Sequence, residues 1–246
     1  MMTQTSTSST AKLTTNFALV LLILLPLSAL GTRFGLWPYT TGLVLLTISM
    51  TGSLLVQIVC ALWLMCKPTL DTKKALRRAS LYALPPLAIV ATVLQNSTSG
   101  IVLHDVSTDT DNPPVFVELL QERGTDSNST LYSPEKANKQ QQLHPQLESI
   151  NNNLSQQQNF KLALDTAQDM GLRIVASDAE NGRIEAVDTT FWFGFKDDLV
   201  IRCQAQQLDI RSTSRVGESD LGANAKRIEL FIKQFSENQR QWLDQK

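Results

Sequence analysis

Three long apolar stretches crowd into the first 95 residues of this 246-residue chain, and stretches of that kind have few places to go. An α-helix rises about 1.5 Å per residue, so crossing a hydrocarbon layer of ~30 Å takes about 20 residues and at least ~17. The first stretch, 13–30, contains the unbroken run Phe17 to Leu25 and clears that length narrowly. The second, 42–66, carries no charge and clears it with room to spare. The third, 79–95, is marginal and holds Pro85-Pro86 near its middle. Proline removes a backbone donor and kinks a helix, while neighbouring helices re-satisfy the freed carbonyls. These stretches predict a membrane domain, 1–95, with three transmembrane helices. Ser28-Ala29-Leu30-Gly31 after the first stretch also suits a signal-peptide cleavage site. Two further apolar stretches follow at once and the lead is weakly basic, so an uncleaved span is expected.

Charge is divided as unevenly as hydropathy. Residues 1–95 carry seven basic side chains against Asp71 alone, a net +6; residues 96–246 carry 15 basic and 22 acidic, a net −7. A single soluble globule is excluded. Nucleic acid is not an expected partner, because the polar half is acidic and repels phosphate. The 67–78 loop holds Lys67, Lys73, Lys74, Arg77 and Arg78 against Asp71, whereas the loop after the first stretch holds only Arg33. The positive-inside rule places the 67–78 loop in the cytoplasm. Three spans then leave the N-terminus cytoplasmic and residues 96–246 outside, in the periplasm or an equivalent extracytoplasmic space. Trp37 and Tyr39 fall at the outer interface and Trp63 near the inner one.

Ser49, Ser53 and Gln57 recur at i, i+4 and i+8, which sets three polar groups on one helix face. Interhelical hydrogen bonding is the expected use. A transport path is the alternative, but no acidic or basic residue lies inside any span. Cys60 and Cys66 belong to the second span and Cys203 stands alone outside, so no disulfide framework is expected.

The outer domain opens with a polar stretch, 121–158, rich in Gln and Asn. Its composition buries no core of its own, and it reads as a long loop docked through Val115, Phe116, Leu119, Leu131, Tyr132 and Leu143. Regular patterns begin at Asn159. Phe160, Ala163, Leu164, Ala167 and Met170 share a helix face, which Gly171 ends. Strands are expected at 172–176, 183–195, 199–204 and 208–213. An Asn181-Gly182 hairpin and a Lys196-Asp197-Asp198 turn separate them. Phe191, Phe193 and Phe195 share a strand face and are expected in the core, with Trp192 facing the other way. Ser219-Asp220 caps a last helix whose face carries Leu221, Ala225, Ile228, Phe231, Ile232 and Phe235. The fold class is therefore α+β: an antiparallel sheet of about four strands with two helices on one face.

Three segments together resemble one family. They are His104-Asp105-Val-Ser-Thr108-Asp109-Thr110-Asp111-Asn-Pro113-Pro114, Asp188-Thr-Thr-Phe-Trp-Phe-Gly-Phe-Lys-Asp-Asp198, and the run from Asp209 through Arg211, Ser214, Arg215, Gly217 and Asp220 to Asn224. Their order and content are similar to the signatures of the domain of unknown function 1499 family, over roughly 101–240. Leu143-His144-Pro145 sits where that family often has an aromatic-Pro pair. The resemblance implies an envelope protein with membrane spans ahead of the domain, from a family without an established activity. The Gln/Asn-rich insertion near 135–158 departs from the family pattern.

Two constellations carry candidate chemistry. His104, Asp105, Asp109 and Asp111 cluster within eight positions, a set able to act as acid and base or to bind a metal. The spacing is not that of a calcium-binding loop, and Asp109 before Pro113-Pro114 also suits a turn bonded to its own backbone. Arg202, Arg211 and Arg215, with Asp220 and Asn224 at a helix start, form the second. Guanidinium forks beside unpaired helix N–H groups suit an anion; a cross-strand ion-pair face is the structural alternative. No phosphate loop, Gly-x-Gly-x-x-Gly or Gly-x-Ser-x-Gly occurs, so no cofactor and no serine hydrolase is expected. The leading expectation is a non-enzymatic inner-membrane protein whose outer domain binds an envelope protein partner or a small anionic ligand. A membrane-anchored hydrolase using His104, Asp105 or Asp109 is the first alternative, and a small transporter or transport accessory subunit the second.

Overall fold

The computed structural model describes residues 8–96 and 102–244. Two compact units emerge: one takes in the chain up to residue 98 with 191–194, the other 99–190 with 195–246. The boundary expected after Gln95 adjoins residues 97–101, outside the described residues.

The first unit is three helices, α1 (Ser9–Arg33), α2 (Tyr39–Met65) and α3 (Leu70–Asn96), each packed on both others. Ala11, Ala18, Ala79 and Ala83 are fully buried, and small side chains of this kind let helix backbones approach. The polar face of α2 is spent between helices. Ser49 Oγ donates to Leu21 O at 2.7 Å. Gln57 Nε2 donates to Ser80 O at 2.9 Å and its Oε1 accepts from Ser80 Oγ at 2.7 Å. Large apolar side chains point outward instead: Leu13, Val20, Leu55 and Leu62 are all more than half exposed. Among the described residues two helices, α1 and α2, are long and apolar enough to cross a membrane. The third expected span is of mixed character. Lys73, Lys74, Arg77 and Arg78 occupy the early turns of α3. That leaves 79–94 uncharged, about 24 Å of helix. The helix runs unbroken through Pro85-Pro86.

The second unit is α+β. Its strands are β1 (Asp105–Ser107), β2 (Ile150–Asn151), β3 (Arg173–Asp178), β4 (Arg183–Thr189), β5 (Lys196–Gln204) and β6 (Gln207–Ser214). They pair antiparallel in the order β1-β6-β5-β4-β3, and β2 also pairs with β6. Helices α6 (Gln156–Asp169) and α7 (Ala223–Asp244) pack on one face. Ile184, Ala186, Leu199, Ile201, Leu208 and Ile210 meet Phe160, Ala163, Ile228, Phe231 and Phe235 there. Each buried Phe or Ile contributes about 1.5–3 kcal/mol of hydrophobic stabilisation. Ser155 and Gln158 form a capping box at the start of α6, and Gly171 at φ +73° closes its end as expected.

The sheet has six strands among the described residues rather than four. The two additions, β1 and β2, come from segments too short and polar to signal a strand; β6 recruits them at its free edge. The turn expected at Lys196-Asp197-Asp198 lies inside β5. The chain reverses earlier instead, where Thr190 N donates to Phe195 O and Phe195 N to Thr190 Oγ1. Phe191 and Trp192 are therefore at an exposed tip, 70% and 56% accessible, and Phe191 is not core. The β3–β4 link is four residues, 179–182, held by the Asp178 carboxylate on Asn181 N; only Gly182 takes positive φ. The 121–158 segment is not all loop. It contains α5 (Pro134–Leu143), capped by Ser133 with Pro134 in the first turn, and β2. A single turn, α4 (Leu119–Glu122), precedes it. Phe116 and Leu119 are buried against Val187 and Val200 on the second sheet face, while Val115 and Leu131 are exposed.

Candidate functional site

Strand alternation sends Glu185, Asp198, Arg202, Asp209, Arg211 and Thr213 to the sheet face opposite α6 and α7. Arg202 stands across from Asp209, and Asp105 of β1 across from Thr213. Arg211 is the centre of this face. Its Nε donates to Asp105 Oδ1 at 2.9 Å and its Nη2 to Asp105 Oδ2 at 2.8 Å, a two-pronged pair. Nη1 reaches Pro114 O at 3.2 Å and Nη2 also reaches Thr130 O at 2.6 Å. The guanidinium lies 5.1 Å from the Phe116 ring centroid and 5.2 Å from that of Tyr132, within cation–π range. Lys136 Nζ is 3.0 Å from Asp105 Oδ2. Asp105 is wholly buried and Arg211 nearly so. Burial, with the Asp105 charge second, pushes the Tyr132 phenol above its usual range. Its hydroxyl donates to Gln140 Oε1 at 2.7 Å, and Gln140 bonds both backbone groups of Ser107.

Other carboxylates of this face are also held internally. Asp198, wholly buried, accepts from Arg215 Nε and Nη2 at 2.9 and 2.7 Å and also from Arg123. Arg215 Nη1 donates to Glu122 O at 3.0 Å. Glu122 is held below the usual carboxylate range, first by its hydrogen bond from Arg173. Arg202 Nη2 reaches both Asp109 Oδ2 and Asp209 Oδ2 at 2.8 Å, and Nη1 reaches Asn112 O at 2.9 Å. Its Nε is buried with no hydrogen-bond partner among the described residues. Burial works against the charge of Arg202, but the bonds from Asp209 and Asp109 outweigh it and hold its pKa above the ordinary value. Glu185 is wholly buried. It accepts from the backbone N–H of Val117, Glu118 and Leu119 at 2.9, 3.2 and 2.8 Å. Arg183 Nε lies 3.1 Å from Glu185, but the N–H is not aligned for a hydrogen bond.

The helix-covered face has its own polar corner. Arg227 of α7 donates to Asp188 at 2.8 Å, Asp197 at 2.6 Å and Asn224 Oδ1 at 2.7 Å. Asn224 Nδ2 donates to His104 O at 3.0 Å and Ser214 Oγ at 2.9 Å. Asp220 caps α7 by accepting from Gly222 N and Asn224 N, each at 2.8 Å.

The five residues expected at an anion site therefore divide between two sheet faces. Arg202, Arg211 and Arg215 lie on one, each against carboxylates of the chain itself. Asp220 and Asn224 lie at the start of α7 on the other. The acidic cluster divides too. Asp105 faces Arg211. Asp109 accepts from Asp111 N and Asn112 N at 3.1 and 2.9 Å, the turn bonded to its own backbone, and also pairs with Arg202. Asp111 is exposed. The His104 ring nitrogen Nδ1 is 3.1 Å from Glu218 O. Among the described residues no group of three or more His, Cys, Asp or Glu side chains is arranged to hold a metal. Asp198 and Gln140 were not among the expected site residues. Asp198 carried no signal of its own, because Asp197-Asp198 suits a turn as well as a strand. None existed for Gln140, whose buried amide is set by tertiary contact alone.

Fold and site together define a class: an α+β domain carried behind apolar helices, its sheet braced on both faces by buried arginine–carboxylate pairs. The family model described as Protein of unknown function (DUF1499) matches residues 105–235, from Asp105 at the start of β1 to Phe235 in α7, and the chain belongs to that family. Searches of curated proteins and of solved structures gave no match.

Proposed function

We propose that the chain is an integral protein of the cytoplasmic membrane whose α+β domain stands on the outer side and binds a protein partner without catalysis. One observation carries this. The buried and half-buried carboxylates of the candidate face are consumed in internal pairing: Asp105 by Arg211 and Lys136, Asp198 by Arg215 and Arg123, Asp109 by Arg202 and a turn. A general acid or nucleophile needs an oxygen directed at substrate, whereas these are directed at guanidinium groups. The most exposed apolar side chains described on the covering segment are Val115 and Leu131, 68% and 73% exposed. The basic 67–78 loop supports a cytoplasmic position for the start of α3. With α3 as the third crossing, the domain emerges on the far side; local bilayer thinning accommodates the short 79–94 length.

The test has two stages. Thr125→Cys in a chain freed of its own cysteines, labelled by an impermeant maleimide in intact cells, reports the side. Labelling only after lysis overturns the topology. A photo-crosslinking residue at position 115 or 131 of the membrane-embedded chain then captures a discrete second polypeptide. The same group at Lys233 on α7 captures none. Equal capture at all three positions, or none, overturns the partner reading. A small anion at Arg202 is the second reading, favoured by its buried Nε, which has no hydrogen-bond partner among the described residues. It predicts that Arg202→Ala abolishes anion-dependent stabilisation of the full chain.

A further inference from the structure

The helical unit contains an open polar cavity of about 410 Å³ where α1 and α3 begin. Lys12 and Asn16 of α1 line one wall; Lys74 and Arg78 of α3 line the other, with Asp71 at the rim. Both pairs are spaced i, i+4, which brings each pair to one face of its helix. The helices hold this geometry through Thr15 Oγ1, which donates to Ala75 O at 3.0 Å, and through fully buried Ala11, Leu76 and Ala79. Three cations thus converge on one cavity against a single carboxylate, Asp71, itself 3.8 Å from Lys74. Amide and ammonium donors surround the space and positive charge is in excess, which selects a phosphate-type anion. Immediately along the same helices the outward side chains turn apolar: Leu13 is 67% exposed, Phe17 50% and Leu81 62%. A ligand seated in the cavity therefore continues onto a surface that accepts hydrocarbon.

We infer that the α1–α3 cavity binds the phosphate headgroup of an anionic phospholipid, with Lys12, Lys74 and Arg78 on the phosphate and the acyl chains along Leu13, Phe17 and Leu81. The inference rests on the membrane reading proposed above and adds a specific lipid contact on the side of the basic loop. Basic residues at a membrane surface favour anionic over zwitterionic lipid by several-fold each.

The test uses the purified full-length chain in mild detergent and native mass spectrometry, with phosphatidylglycerol and phosphatidylcholine added at equal concentration. Phosphatidylglycerol adducts are expected in about tenfold excess. Lys12→Gln with Arg78→Gln reduces that excess to near parity, while Arg240→Gln on α7 leaves it intact. Lys12→Arg with Arg78→Lys, which keeps the charges, retains it. Equal retention of the two lipids by the native chain overturns the inference, as does an excess that survives the double Gln variant. Loss of the excess in the charge-keeping variant, whose fold is verified by its circular dichroism, also overturns it. Millimolar inorganic phosphate is expected to leave the lipid adduct in place; displacement by phosphate alone assigns the cavity to free phosphate and overturns the headgroup. A chain that stays monodisperse without detergent overturns the membrane reading itself, whereas lipid indifference in a detergent-dependent chain overturns only the cavity.

Discussion

Arg211→Ala removes a side chain that makes four hydrogen bonds on the outer sheet face. The variant strands Asp105, wholly buried, with Lys136 as its remaining cation. It also frees the carbonyls of Pro114 and Thr130. Breaking a buried pair by deleting one partner costs about 3–5 kcal/mol, and each buried acceptor left unmade costs about 1–3 kcal/mol. Lys136, 3.0 Å from Asp105, offsets part of this, and water entering the emptied space reaches the carbonyls. A net loss of about 4 kcal/mol follows, against a typical domain stability of about 5–15 kcal/mol. For a unit of this size that is a fall in Tm of about 8–16 °C. The assay is thermal unfolding of the full chain in detergent, followed by protease sensitivity of the sheet domain. Arg173→Ala is the control. Its pair with Glu122 is 53% and 34% exposed, so the expected loss is about 0–1 kcal/mol. Arg211→Lys should fall between them, because an ammonium does not fork onto both carboxylate oxygens. An Arg211→Ala loss no larger than that of Arg173→Ala would refute the argument that this arginine braces the fold.

Three further outcomes are expected. Cys203 is buried and its thiol is pushed from 9.0 to about 12, by burial first and then by Asp209. Native chain at pH 8 should therefore expose Cys66 but not Cys203 to Ellman's reagent. Because the folded state keeps that proton longer than the unfolded chain, stability is full below pH 9 and falls as pH rises toward 12; urea midpoints across that window check the sign. Glu185→Gln replaces an oxygen that accepts from Leu119 N with an amide that cannot, a loss of about 1–3 kcal/mol. It is visible first as faster hydrogen exchange at 117–119. Phe231→Ala, fully buried against the sheet and stacked 6.1 Å from Phe235, should cost about 3–5 kcal/mol in the same unfolding assay.

Much of this architecture is legible in local pattern. The helix faces of α6 and α7 follow from apolar spacing, since each has one side against a sheet. Strands β4, β5 and β6 follow from alternation, although β5 begins three residues before the expected 199 because Asp197 and Asp198 read as a turn. They are strand residues because each acid meets a buried arginine, Arg227 on one face and Arg215 on the other. No local signal distinguishes such acids from turn acids. Strands β1 and β2 were illegible for a related reason: three and two residues long, they exist only because β6 offers unpaired backbone. The candidate residues were legible as a polar face, but their partners were not. Asp105 and Arg211 are 106 positions apart, and neither position alone announces the other.

The Glu185 carboxylate grips the 117–119 segment by its main chain. Three N–H groups are the whole of what it reads there, and every residue except proline supplies one. Val117 and Glu118 are exposed, so their side chains are free to diverge while the loop stays where it is. The constraint falls instead on position 185, where Asp is too short and Gln carries the wrong hydrogens. Relatives of this chain should thus vary most on the outward side of that loop and least on the strand beneath it, a surface that evolution can retailor without reopening the fold.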